Sequence, residues 1–178
     1  MNALKLLKLQ HHSFQVLFAR CRSAREPADE VSRFAVLSQN ILAHHAIEER
    51  FLYPVAFAGS VKVLRHGAVE THLDIELRVA DVLALDAGHE SFGLNLAALE
   101  MSIVKHEGAE EAFLFPRLER ALDERASEEL GALMETLFRS LIADGATLRN
   151  PEPTRPAIRL RAAVPQRAPS PQPVGEGA

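Results

Sequence analysis

Apolar residues recur every three or four positions through most of the chain, which is the spacing that places them on one face of an α-helix. Four long helices are predicted in this way, at about 2–22, 31–53, 59–85 and 90–116. Asn2 can cap the first helix and Asp29 the second, and Asp86-Ala87-Gly88 separates the last two. We expect Pro54 and Pro116 to bend or end the second and fourth helices, because proline lacks the N–H that a helix interior needs.

A fifth amphipathic segment repeats its apolar residues at positions i, i+3, i+4 and i+7 over residues 130–142. Ser127 can cap the start of this helix and Gly145 its end. We expect the segment, which spans residues 126–146, to pack on the outside of the other four helices. The alternative is that its apolar face forms a homodimer.

The composition favours an all-α protein, because β-branched residues are few and tryptophan is absent. Residues 147–178 are rich in proline and arginine, and this tail is predicted to be disordered because it cannot bury a core. The chain as a whole is 47% hydrophobic, which is sufficient for one compact domain. We therefore predict an up-down-up-down four-helix bundle over residues 1–125, followed by the additional helix and the tail.

Charge and cysteine content argue against several other classes of protein. The net charge of -4 gives no reason to expect a nucleic-acid partner, and no stretch approaches the length of a membrane span. Lysines are mixed into the leucines of the N-terminus, unlike in a signal peptide, so we expect a cytoplasmic protein. Because Cys21 is the only cysteine, an intrachain disulfide and a multi-thiolate metal site are excluded.

The pattern H-x-x-x-E-E-x-x-L-[YF]-P occurs twice, beginning at His44 and again at His106. Four positions along a helix are about 40° more than one full turn, so His44 and Glu48 project from one face, as do His106 and Glu110. Two such faces turned toward each other bring imidazoles and carboxylates to one point in space. The repeat therefore predicts a buried metal centre.

The other two long helices can add further donors to this centre. The first helix carries His12, and the third carries His72 with Glu76 one turn later. Imidazole nitrogen together with carboxylate oxygen suits iron, manganese or zinc rather than calcium or magnesium. Four histidines and two carboxylates exceed what one ion needs, whereas two ions that share the carboxylates would use the whole set.

The spacing resembles that of the hemerythrin family, specifically the bacterial hemerythrin-like cation-binding domains. Ferritin-like proteins use Glu-x-x-His, whereas this chain uses His-x-x-x-Glu and has mainly histidines. The resemblance covers about residues 4–116, and it implies a di-iron centre with an oxo or hydroxo bridge, with manganese or zinc as alternatives. The implied terminal ligands are His12, His44, His72 and His106, and the implied bridging ligands are Glu48 and Glu110.

The chain also departs from the family pattern at several positions. His11-His12 stands where the family usually has Asp-His, so His12 is taken as the ligand and His11 remains an alternative. Glu76 replaces the fifth histidine of oxygen carriers, and it either binds metal or leaves a more open site. His45 lies about 100° around the helix from His44, so we expect it to support a ligand or to be exposed, and a role as a metal ligand is the further alternative. Glu49 and Glu111 are expected to be solvated or to accept hydrogen bonds from ligands.

The function implied by the resemblance is binding or sensing of oxygen, nitric oxide or iron. One alternative is an enzyme that acts on peroxide or nitric oxide, and another is a metal with a purely structural role. The sequence shows no obvious proton relay and no appended catalytic domain, which favours binding over turnover. No residue is assigned as catalytic at this point.

The substitution His106→Ala should lower the bound iron and loosen the bundle, because it removes one imidazole from the centre. Iron per chain by elemental analysis and the melting temperature are the two measurements. Full iron content together with wild-type melting would show that the ligand assignment is wrong.

Overall fold

The computed structural model describes residues 1–58 and 62–143, with the side chains of residues 62–65 outside the description. Seven α-helices occur in this part of the chain: α1 (Ala3–Arg22), α2 (Pro27–Ile47), α3 (Tyr53–Ala56), α4 (Lys62–Leu83), α5 (Phe92–Ala109), α6 (Phe115–Ala121) and α7 (Glu124–Ala143). Two π-helical segments join them: π1 (Glu48–Leu52) links α2 to α3, and π2 (Glu110–Leu114) links α5 to α6. Among these helices, none is both long enough and apolar enough to cross a lipid bilayer.

The four long helices α1, α2, α4 and α5 form a closed ring, because α1 and α4 each pack against both α2 and α5. This arrangement agrees with the predicted helical bundle. Two apolar clusters fill its interior, one around Phe14, Phe34 and Leu99 and the other around Leu7 and Leu52. A layer of buried polar side chains lies between the two clusters along α1, α2 and α5.

The starts of the helices follow local capping chemistry. Asn2 caps α1 as predicted, with its Oδ1 accepting a hydrogen bond from the Lys5 N–H at 2.8 Å. Helix α2 begins at Pro27 rather than after Asp29, because proline suits the first turn, where no intrahelical N–H bond is needed. Helix α7 begins earlier than Ser127, since Asp123 accepts the Ala126 N–H at 2.9 Å.

The helices do not end at Pro54 and Pro116 but widen before them. In an α-helix the ring of Pro54 would collide with the carbonyl four residues earlier. The chain instead makes a π turn in which the Tyr53 N–H donates to the carbonyl of Glu48, five residues back. The Phe115 N–H donates to the carbonyl of Glu110 in the same way. Both π segments begin at the first glutamate of a motif, so the backbone widens at the residue that is the candidate carboxylate ligand.

Helix α7 packs against α1 and α2 on the outside of the ring. Leu130, Gly131 and Met134 are buried in this contact, and Leu137 and Phe138 are partly buried on the same cluster. Part of the face considered for a homodimer is thus covered within the chain, while Leu133 is 44% exposed.

The homodimer stays a prediction, and so do the predicted domain boundaries. The predicted cap at Gly145 and the tail at 147–178 lie outside the described residues.

The substitution Gly131→Ala should destabilise the protein by about 1–3 kcal/mol, because the added methyl group would overlap the backbone of Met1, Asn2 and Ala3. An ideal Cβ at Gly131 would lie 2.8 Å from the nitrogen of Ala3. Urea unfolding at matched metal content measures the change.

Gly93→Ala is the matched control, since a Cβ there meets nothing within 4 Å. It should be neutral or stabilising by up to about 1 kcal/mol, because alanine favours the helix over glycine. Equal effects of the two substitutions would contradict the proposed close packing of α7.

Candidate metal centre

The polar layer of the bundle brings seven metal-binding side chains together in the core. They are His11, His44, His45, Glu48, His72, His106 and Glu110, and all are buried. They form three overlapping groups: His11, His44, Glu48 and Glu110; Glu48, His72, His106 and Glu110; and His45, His72 and His106. Within each group the donor atoms lie within 4.8 Å of one another. Glu48 and Glu110 each belong to two groups, which is the arrangement that bridging carboxylates require.

The two oxygens of Glu48 face imidazoles of different groups. Its Oε1 lies 3.3 Å from Nε2 of His44, and its Oε2 lies 3.3 Å from Nε2 of His72. Oε2 of Glu110 lies 3.7 Å from Nε2 of His11 and 3.6 Å from Nε2 of His106. Each carboxylate therefore lies between one histidine of the pair His11 and His44 and one histidine of the pair His72 and His106. These two pairs are the two sides of the centre.

The outer ring nitrogens of two histidines are held by the second glutamate of each motif. Nδ1 of His72 lies 2.9 Å from Oε1 of Glu49, and Nδ1 of His11 lies 2.8 Å from Oε1 of Glu111. In each Glu-Glu pair, the first residue enters the centre and the second supports a histidine from a neighbouring helix. The expectation that Glu49 and Glu111 accept hydrogen bonds from candidate ligands thus agrees with the geometry.

Two further histidines are held at Nδ1 by other polar side chains. Gln10 Oε1 lies 2.8 Å from Nδ1 of His44, and Glu76 Oε1 lies 3.3 Å from Nδ1 of His45. When Nδ1–H donates outward, Nε2 is left as the basic nitrogen that faces the centre. This is the usual arrangement of metal-binding histidines, whose second N–H donates to a carboxylate or carbonyl.

Several inward-facing atoms are buried without a hydrogen-bond partner among the described residues. They are Nε2 of His11, His44 and His45, both carboxylate oxygens of Glu48, and Oε2 of Glu110. Burying so many unsatisfied acceptors in an apolar bundle is costly, at about 1–3 kcal/mol for each group. Metal ions would satisfy them all, and nitrogen and oxygen donors suit iron, manganese or zinc. The donor set therefore fits a metal centre.

The structure brings five of the six candidate ligands together, and the exception is His12. His12 is exposed and belongs to none of the three groups, whereas its neighbour His11 is buried and belongs to one of them. The geometry therefore favours His11, the alternative, over His12. The reason lies in the periodicity of α1, where His11 stands four positions after Leu7 and three before Phe14, on the buried face. The apolar spacing could have identified His11 without any family register.

His45 and Glu76 take positions that the sequence left open. His45 is only 1% exposed and stacks on His72, with ring centroids 3.8 Å apart and planes 2° from parallel. Of the alternatives given for His45, exposure does not agree with this position, and His45 shares a group with His72 and His106. The side chain of Glu76 is 39% exposed and lies outside the three groups, where it contacts His45.

Tyr53 is a residue of the site that the sequence analysis missed. Its buried hydroxyl donates to Oε1 of Glu110 at 3.1 Å and lies 2.8 Å from Nε2 of His72. Burial, followed by the charges of Glu48 and Glu110, raises the pKa of Tyr53 above its ordinary value. The aromatic position of the Leu-aromatic-Pro motif was the available signal, although the second motif has Phe115 there.

Glu107 is a second buried acid beside the centre, one position after His106. Burial and the charge of Glu111 raise the pKa of Glu107 to about 8. Tyr53 and Glu107 together give the site two proton-bearing groups, whereas the sequence suggested no relay.

Burial is the largest influence on the pKa values of the polar layer in the metal-free protein. It lowers the pKa of His44 to about 3, because Glu48 offsets only part of the effect. Burial also lowers the pKa of His72, but Glu48 and Glu49 outweigh it and raise the pKa to about 9. Burial and the charge of Glu48 raise the pKa of Glu110 well above its ordinary value. The metal-free layer thus holds protons on His72 and Glu110.

A ring of helices around a buried set of imidazoles and carboxylates defines a cation-binding helical bundle. The hemerythrin HHE cation binding domain matches residues 2–118 of the chain. The chain therefore belongs to the hemerythrin HHE cation-binding family. Searches of curated proteins and of solved structures found no match.

The metal-free protein should lose stability as the pH rises from 6.5 to 9. In this window the folded state keeps protons on His72 and Glu107 that the unfolded chain has released, so the free energy of unfolding falls with pH. The raised pKa of Glu110 acts in the same direction. The raised pKa of His72, from 6.5 to about 9, contributes on the order of 3 kcal/mol of this loss. Histidines with a lowered pKa, such as His44, contribute only below pH 6.5.

Urea unfolding of chelator-treated protein across this pH window measures the effect. Metal-loaded protein is the control and should show a much flatter profile, because bound metal keeps its ligands deprotonated. A metal-free profile that is flat or rises with pH would contradict the assigned protonation states.

Proposed function

We propose that the polar layer holds two iron ions and that the protein binds or senses dioxygen, nitric oxide or iron through them. The observation that carries this proposal is the position of Glu48, whose two oxygens each lie 3.3 Å from a histidine of a different group. A carboxylate placed in this way can bridge two cations. Glu110 faces histidines of the same two groups from the opposite motif.

The proposed ligand set is unequal on the two sides. His11 and His44 serve one ion, and His72 and His106 serve the other, with Glu48 and Glu110 shared. His45 would add a third imidazole on the second side, since it shares a group with His72 and His106, once its ring turns out of the stack on His72. The ion beside His11 would therefore have fewer protein donors and would keep more coordination positions for a small ligand.

His45 occupies the place in the ligand count that Glu76 leaves open. The oxygen carriers that the motif resembles have a histidine at the position of Glu76. In this chain Glu76 instead contacts Nδ1 of His45 at 3.3 Å and orients that ring toward the centre. We propose that the fifth imidazole is supplied by α2 rather than by α4.

Iron in such a set supplies one-electron redox chemistry and coordination positions for a small molecule. The protein orients the imidazoles through Gln10, Glu49 and Glu111 and excludes water with the apolar clusters on both sides. Manganese or zinc in place of iron remains an alternative, and zinc would remove the redox function.

A second candidate function is an enzyme that acts on peroxide or nitric oxide. Its support is the hydroxyl of Tyr53, which donates to Glu110, together with the buried carboxyl of Glu107, one position after His106. Such groups can deliver protons to a reduced oxygen species. A purely structural metal is the third candidate, because binding to this donor set also stabilises the fold.

An optical experiment distinguishes these functions. Iron-loaded protein is reduced without oxygen, exposed to oxygen or nitric oxide, and then purged, while the visible spectrum is recorded. A spectral change that reverses on purging supports binding. Irreversible change with consumption of added peroxide supports the enzyme, and no spectral response with iron present supports the structural role.

His11→Gln and His12→Gln form a matched pair for the ligand assignment. His11→Gln should lower the iron content from about two ions per chain and weaken the spectral response, because it removes a buried donor. His12→Gln should leave both unchanged, since His12 is exposed. The reverse outcome would restore the family register and overturn the assignment of His11.

A further inference from the structure

A cleft between α4 and α5 reaches from the surface to the edge of the metal centre. Its volume is about 560 Å³, and Tyr53, His106 and Glu110 line it. Small-molecule sites in proteins occupy about 300–1,000 Å³. A water molecule in the liquid occupies about 30 Å³, so the cleft is far larger than a diatomic gas requires.

The inner walls of the cleft are apolar. Ile75 and Leu114 are buried, Phe57 is half-buried, and Phe113 stands at the edge with 75% of its surface exposed. These side chains offer an apolar contact surface that comes from α4, from π2 and from the residue after α3. The lining therefore suits a molecule that has an apolar part rather than a simple ion.

The charges that line the cleft are mostly positive. Arg78, Lys105 and Arg117 are among its lining residues, and the acidic lining residues are Asp74 and Glu110. Within residues 1–58 and 62–143, neither Arg78 nor Lys105 takes part in an ion pair, although Asp74 lies one turn from Arg78. These two cations are therefore available to an acidic group that enters between α4 and α5.

We propose that this cleft binds an organic anion with an apolar body, of the size and chemistry of an aromatic carboxylate. The acidic group lies at Arg78 and Lys105, and the body packs against Ile75 and Leu114. At its inner end the cleft is lined by His106 and Glu110, which are candidate ligands of iron. In this respect the proposal rests on the proposed function. The proposed ligand, an organic anion, is a class of substrate or signal molecule different from dioxygen and nitric oxide.

The test uses the iron-loaded full chain and two probes of the same shape, 2-naphthoate and its neutral amide 2-naphthamide. Calorimetric titration should show naphthoate binding more tightly than naphthamide, because only the carboxylate pairs with the cations. The double variant Arg78→Gln/Lys105→Gln should weaken naphthoate binding about tenfold, which corresponds to about 1.4 kcal/mol. Ser102→Phe, which fills the cleft from α5, should reduce the binding of both probes.

Two matched controls leave the cleft unchanged. Arg125→Gln removes an exposed cation on α7, and Ala97→Phe adds the same ring as Ser102→Phe at an exposed position of α5 outside the lining. Both should bind naphthoate like the wild type. Circular dichroism melting checks that each variant is folded. Wild-type binding by the double variant or by folded Ser102→Phe, or equal binding of the two probes, would overturn the proposal.

Iron per chain, measured on the same samples, separates this proposal from the function it rests on. If the protein holds two irons per chain and the cleft variants bind naphthoate like the wild type, the anion site is overturned and the di-iron proposal stands. If the cleft variants weaken naphthoate binding but the protein retains no iron, the anion site is supported and the di-iron function is overturned. Cleft-dependent binding that also shifts the oxidised iron spectrum supports both.

Discussion

The burial of two carboxylates at one point of the core is the constraint on which the rest of the bundle depends. Glu48 is fully buried and Glu110 is nearly so, and each charge taken from water costs several kcal/mol unless it is compensated. The metal-free protein relieves part of this cost by keeping a proton on Glu110, whose pKa burial and Glu48 raise. Two cations would relieve it more completely, because they compensate both carboxylates and use the orphaned imidazole nitrogens as well.

The surroundings of the centre are arranged to make those cations fit. Glu49 and Glu111 hold histidines that come from other helices, so each motif fixes both its own donors and those of a neighbour. This cross-bracing explains why the second glutamate of each pair recurs beside the first. Apolar clusters on the two sides of the polar layer limit the entry of water along the bundle axis, which strengthens the charge interactions between them.

The helices and the two motifs could be predicted from the sequence because both depend on regular spacing. His11 could also be predicted, since it continues the apolar face of α1, but the family register pointed to His12. His45 could not, because α2 packs against α1, α4 and α7, so a wide arc of its surface is buried and adjacent residues can both face inward. Tyr53 could not, because its direction depends on a π turn that a regular 3.6-residue period does not describe.

The π turns determine the direction of the aromatic residue of each motif relative to the first glutamate. Residues five apart diverge on an ordinary α-helix, but the wider turn returns the fifth residue toward the side of the first. It thereby brings the phenol of Tyr53 under the carboxylate layer that Glu48 begins. Each proline thus affects the direction of the aromatic residue before it by widening the backbone turn. In the second motif that residue is Phe115, which has no hydroxyl. The pseudo-symmetric repeat therefore encloses a chemically one-sided chamber.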